Sequence, residues 1–263
     1  MSERRGRNLP LSLPRLWVGD LLHFAQKVPT VPVQRRMCIA PLMEARGQVN
    51  PRPSWCALFT KAYAMVAAQW PELRRAYLAF PQPHLYEHPF SIASVAVERR
   101  LGDEHAVFFT QIPEPEEHTP DQLDQHLTDC KELPIESVGT FRRALRWSRF
   151  PRPVRRLLWW VGLNVSGYRR ARNLGTFGVS VYSGLGAEAL HPLSPLTTTL
   201  NYGVIGEDGT VDVRIIYDHR VMDGSTIARA LADLEEVLNH QLPRCLLKNL
   251  RNGFTSAREV EAR

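Results

Sequence analysis

The stretch that most restricts the fold runs from Thr197 to His240. Two apolar segments, Thr197–Val204 and Val211–Tyr217, flank Gly206-Glu207-Asp208-Gly209. That composition suits a tight turn, so the spacing predicts an antiparallel pair of strands. Downstream, Ser225–His240 carries Ile227, Ala230, Leu231, Leu234 and Leu238 on one helical face, which predicts an amphipathic helix. Between strand and helix lies Asp218-His219-Arg220-Val221-Met222-Asp223-Gly224. A histidine there is held by a rigid element on either side while the turn exposes it. An imidazole, with an ordinary pKa of about 6.5, accepts a proton near neutral pH without large tuning. A structural strand-end histidine would satisfy the same local pattern, so position alone does not make His219 catalytic.

The rest of the chain mixes helices and strands without strict alternation. Leu16–Val28 has helical spacing up to Pro29, and Thr30–Pro41 reads as extended, followed by a linker rich in proline and glycine. Ser54 is placed to cap a helix reaching Trp70. Ala76–Phe80, Ser91–Val97 and Ala106–Ile112 read as strands, the last two apolar enough to lie inside a sheet. Thr119 or Asp121 opens a polar helix to about Leu133, and Thr176–Tyr182 reads as another strand. The pattern predicts an α/β protein, a two-layer sandwich in which helices pack on a mixed sheet.

The net charge of +6 is local rather than general. Phe141–Arg172 holds ten arginines and no acidic residue, and without it the chain is net acidic, so an anionic partner is expected at that segment. The four cysteines (Cys38, Cys56, Cys130 and Cys245) form no Cys-x-x-Cys pair, and no zinc spacing is present. A reduced, cytoplasmic compartment is expected, with no signal peptide and no membrane span.

Two motifs carry a resemblance. Asp218–Gly224 resembles the Asp-His-Arg-x-x-Asp-Gly signature of the catalytic domain of the dihydrolipoamide acyltransferases of 2-oxo acid dehydrogenase complexes, relatives of chloramphenicol acetyltransferase. Upstream, Gly175-Thr176-Phe177-Gly178-Val179-Ser180 resembles that family's Gly-Thr-Phe-Thr-Ile-Ser element, with His191-Pro192-Leu193-Ser194-Pro195 between the two. Weaker likeness passes through Lys61-Ala62 and Pro71-Glu72-Leu73 back to Val28–Ala40, so the resemblance covers roughly Val28–Leu242. It implies a chloramphenicol acetyltransferase-like fold and an acyltransferase. His219 would be the general base, Ser180 the donor to the tetrahedral oxyanion, and Asp223 the acid that holds the turn through an arginine, Arg35 or Arg36. It further implies a homotrimer whose site lies between subunits, with coenzyme A or a phosphopantetheine thioester as substrate and no metal.

The chain also departs from that family. None of its four lysines sits in an Asp-Lys lipoylation turn, so no covalent lipoate is expected and the chain reads as a stand-alone form without a lipoyl domain. The family's Asp-Gly-Leu-x-x-Pro-Val segment, which helps shape the donor channel, is replaced by Glu98–Ile112. The third departure is the insertion 141–172, whose arginines interleave with Trp147, Trp159, Trp160 and other aromatics. Three readings stand beside one another. Arg155, Arg156, Trp159 and Trp160 could dock an acidic acyl carrier protein or the phosphates of coenzyme A. The segment could lie on an anionic membrane. Or its aromatics could pack on the core or at the trimer contact, leaving the arginines solvated. No nucleic-acid motif accompanies the charge. The expected organisation is a helical arm over 1–27, a catalytic domain over 28–250 and a loose tail over 251–263. The activity alternatives are a non-catalytic trimeric scaffold, or a core subunit using lipoate carried by another protein.

Overall fold

The computed structural model describes residues 6–248; the expected tail over 251–263 lies outside them. Helix α1 (Leu13–Ala25) begins a turn earlier than the apolar spacing suggests, because the Ser12 hydroxyl accepts from Arg15 N and Pro14 fits the first turn. Strand β1 (Thr30–Cys38) follows. Helix α2 (Ala40–Gly47) occupies the expected linker, with Pro41 in its first turn, where no amide hydrogen is needed. Ser54 caps α3 (Trp55–Gln69) as expected. Strands β2 (Arg75–Leu78) and β3 (His84–Glu87) form a separate small ribbon.

The main sheet continues with β4 (Ile92–Leu101), β5 (Glu104–Pro113), β6 (Phe177–Val179), β7 (Thr198–Tyr202) and β8 (Thr210–Asp218), in the order β1-β8-β7-β6-β4-β5. The sheet is mixed: β6 runs parallel to both β4 and β7, and the other pairs are antiparallel. β4 is interior, but β5 is an edge strand rather than an interior one. Its apolar composition follows from cover on both faces and along its free edge instead of from a second strand neighbour.

Helix α4 (Pro120–Glu132), opened by a Thr119–Gln122 capping box, packs with α2, α3 and α8 (Gly224–Glu236) on one face of the sheet. Phe59 of α3 stacks on Tyr202 at 4.1 Å, and the Tyr63 hydroxyl donates to Thr198 Oγ1 at 2.7 Å, which ties helix layer to sheet. After α8 one wide turn (Val237–Gln241) leads into a last helical stretch, 242–248.

The basic insertion folds into three helices: α5 (Gly139–Ser148), α6 (Arg152–Asn164) and α7 (Gly167–Leu174). α5 wraps the edge strand β5. Its Phe141 packs on Phe108 at the helix-covered face, while Trp147 looks onto the opposite face. α1 lies against α5 and α6 over that opposite face. Gly175 then turns the chain from α7 into β6 with a φ of +95°; a Cβ there would come within 2.9 Å of Ile92 O. The Thr176 hydroxyl accepts from Ile92 N and donates to Ile92 O, so β6 is laid beside β4 in one register.

Candidate active site

His219 sits one residue beyond the end of β8, where its backbone N–H donates to Pro29 O at 3.1 Å. The imidazole is half exposed, and its Nδ1 lies 3.7 Å from Asp223 Oδ1, an electrostatic contact too long for a hydrogen bond. Asp223 occupies the N-cap position of α8 without making a side-chain capping bond, and its carboxylate is largely in solvent. Neither Arg35 nor Arg36 reaches it, which corrects that expectation. Arg36 lies opposite Asp212 in the β1–β8 register and pairs with it at 3.1 Å, while Arg35 pairs with Glu235 of α8 at 2.7 Å. Thr30 is the residue opposite Asp218, so both arginines stand five or six positions further along β1, roughly 17 Å or more from the histidine turn.

The turn is held instead by Asp218, which sequence reasoning left without a role. Its carboxylate is fully buried and accepts from Arg220 N, Nε and Nη2 at 3.0, 2.9 and 2.7 Å. The Arg220 guanidinium in turn covers the Tyr77 ring at 4.2 Å. Arg170 of α7 feels the charge of the same carboxylate. Burial pushes its guanidinium down to about 10, a shift that Asp218's charge opposes and Arg220's adds to, and the group stays cationic at neutral pH. Arg170 donates to the carbonyls of Tyr77, Leu163 and Pro195. The Asp-x-Arg spacing of residues 218 and 220 was visible in the sequence. The arrival of Arg170 from the insertion was not.

Ser180 follows β6 directly. Its N–H donates to Leu200 O at 3.1 Å and its carbonyl accepts from Asn201 Nδ2, which fixes the backbone. Among the described residues its hydroxyl makes no hydrogen bond. It opens into a cavity of about 490 Å³ on the sheet face opposite α3 and α8, lying beneath α1 and the insertion.

Register separates the two candidate groups within one chain. Ser180 is level with Asn201, which pairs with Arg214, and His219 lies five residues past Arg214 on the second strand over. The separation is roughly 17 Å along the strands and about 10 Å across them, more than the two side chains can bridge. Asp223 is thus brought to His219, and Ser180 is not.

The basic and aromatic candidates divide. Arg155 and Arg156 both pair with the buried Asp20 of α1, at 2.6 and 3.0 Å, and Trp159 is buried against Trp17 at 4.7 Å. These three join α6 to α1, because an arginine stem with a buried carboxylate partner can cross an apolar contact that an unpaired one could not. Trp160 is exposed near Phe80, and Leu157 and Val161 are exposed on the outer side of the same helix. Among the described residues no cluster of three metal-ligating side chains occurs, and no helix is long and apolar enough to cross a membrane.

No protein-family model and no curated protein matches the sequence. Solved structures do match its fold. A probable dihydrolipoamide acetyltransferase from Listeria monocytogenes superposes with a TM-score of 0.64 at 16% identity, over 90% of this chain and 95% of that one. The cubic core of a pyruvate dehydrogenase multienzyme complex gives 0.66 at 18% identity, over 93% and 95%. The dihydrolipoamide acetyltransferase of Azotobacter vinelandii, studied for the catalytic roles of a serine, a histidine and an asparagine, gives 0.64 at 16%, over 93% and 95%. Over nine-tenths of its length the chain has the fold of the dihydrolipoamide acyltransferase catalytic cores, as its two motifs imply.

Proposed function

We propose that the protein is an acyltransferase that moves an acyl group from a thioester, carried by coenzyme A or an acyl carrier protein, to a small nucleophilic acceptor or a lipid. His219 takes the proton from the acceptor's hydroxyl, thiol or amine as that atom attacks the thioester carbonyl. The carbonyl oxygen becomes an oxyanion, and the Ser180 hydroxyl donates to it. The intermediate collapses by breaking the carbon–sulfur bond. The thiolate leaves and takes the proton held on His219, so acid and base balance over the cycle.

One observation carries this reading: Ser180 and His219 stand on the same sheet with their backbones fixed and their side chains free, yet too far apart to act in one copy. A homotrimer in which His219 of one copy approaches Ser180 of the next resolves that separation, and the match to a multienzyme cubic core supports such an assembly. The buried Asp218–Arg220 pair restrains the turn that carries His219, with Asp223 beside the ring. The test is thioester consumption across a panel of acyl donors and acceptors. His219→Ala is expected to abolish turnover, and Ser180→Ala to lower kcat by about 10²–10³ with KM little changed. Full activity in the His219→Ala protein would sink the assignment. A wild-type protein that turns over no thioester would favour the non-catalytic scaffold, and activity with free dihydrolipoamide would favour the lipoate-dependent core.

A further inference from the structure

The cavity at Ser180 lies between the main sheet and helices α1, α5 and α6. Its floor is sheet: Ala96 of β4, Val107 and Phe109 of β5, and Gly178 ahead of Ser180. Its roof is Val18, Leu21 and Leu22 of α1, with Trp17, Trp147 and Trp159 where α1 meets α5 and α6. Polar groups border the cavity on several sides: Ser180 at one, Arg143 and Asn173 where α5 meets α7, and Arg15, Glu98 and His105 near the tip of the β4–β5 hairpin. The roof is anchored rather than loosely draped. Asp20 of α1 is buried between Arg155 and Arg156 of α6, and Trp17 packs on Trp159 at 4.7 Å and on Trp147 at 6.2 Å.

We propose that this cavity binds the apolar chain of the acyl group, so that the donor is a medium- or long-chain acyl thioester rather than an acetyl one. This rests on the acyltransferase reading and names its substrate class. A volume of about 490 Å³ is in the range of small-molecule sites. Taking a methylene as comparable to a water's ~30 Å³ share of liquid, it accepts a straight chain of on the order of ten carbons. An acetyl group would leave most of the apolar wall in contact with water, and burying such wall is what favours a longer chain. Ser180 sets the polarity: the carbonyl belongs at the hydroxyl, and the methyl end runs beneath α1 towards the hairpin tip.

The closing experiment reads binding separately from turnover. Acetate, octanoate and dodecanoate are titrated into the full chain and followed by tryptophan emission, and acetyl-, octanoyl- and dodecanoyl-coenzyme A are compared as donors. Affinity is expected to rise about fourfold per methylene until the cavity is full, and kcat/KM to favour the longer donors. Ala96→Trp, which fills the floor, should weaken dodecanoate at least tenfold. Val18→Trp fills from the roof and serves as the second variant should the first not fold. Equal affinity for the three acids overturns the proposal, and so does dodecanoate binding that neither substitution alters. The His219→Ala protein should bind dodecanoate as wild type does. Chain-selective binding without any transfer therefore upholds the cavity while failing the enzyme reading. Transfer from acetyl-coenzyme A without fatty-acid binding fails the cavity alone.

Discussion

At the scale of single residues, the weight of the candidate site falls on Asp218 more than on Asp223. Asp223 is in solvent and, among the described residues, its carboxylate meets only the exposed imidazole, so its charge is screened. Asp218 is buried, accepts three bonds from Arg220, and its charge offsets part of the burial of Arg170. Asp218→Asn is expected to lower unfolding free energy by about 3 kcal/mol, because it takes the charge from a buried carboxylate that accepts three bonds from Arg220 and offsets part of Arg170's burial; chemical denaturation measures it. A second residue effect concerns pH. His126 of α4 contacts Thr110 Oγ1 at 2.9 Å, and burial foremost, with His118 adding and Asp129 opposing, holds its pKa below the ordinary value. The unfolded chain therefore takes up a proton near pH 6.5 that the folded one still refuses. Stability should fall as pH drops from about 7 through that region and level off below the folded pKa. His126→Gln should flatten this part of the curve, as thermal melts across pH would record.

Among the elements, the insertion is the part whose role changed most. Ten arginines in 32 residues suggest a solvated or partner-binding face, but α6 and α7 direct Arg155 and Arg170 inward. Arg155 meets the buried Asp20 there, and Arg170 meets the carbonyls of Tyr77, Leu163 and Pro195, with the charge of Asp218 offsetting part of its burial. Removing the first of these shared anions is the sharpest test of how α1 is held. Asp20→Ala should cost about 3–5 kcal/mol, the usual penalty for stranding a buried charge. It should also raise amide exchange in α1 and α6 before it does so in β7 and β8, since only the roof loses its tie. Uniform loss of protection across the sheet would contradict that.

For the whole molecule, the proposed mechanism combined with the separation of Ser180 from His219 requires an assembly of copies. Copies carrying only His219→Ala and copies carrying only Ser180→Ala are each expected to be impaired. Mixed and co-assembled, they should regain part of wild-type activity, because some interfaces then pair an intact serine with an intact histidine. Absence of any rescue, with mixed oligomers verified by native mass spectrometry, would place both groups in one copy and contradict the register.

The sequence by itself determined the sheet-and-helix alternation around the two motifs. The periodicities of Thr197–Tyr217 and Ser225–His240 are local, as are the Ser54 and Thr119 caps, and local steric and hydrogen-bonding rules suffice to read them. Only the tertiary structure decided that β5 is an edge strand, that Arg35 and Arg36 turn to Glu235 and Asp212, and that a cavity lies over Ser180. Each of these depends on which segments meet across long stretches of chain. A charged or aromatic side chain looks the same in sequence whether its partner is water or a buried carboxylate more than a hundred residues away.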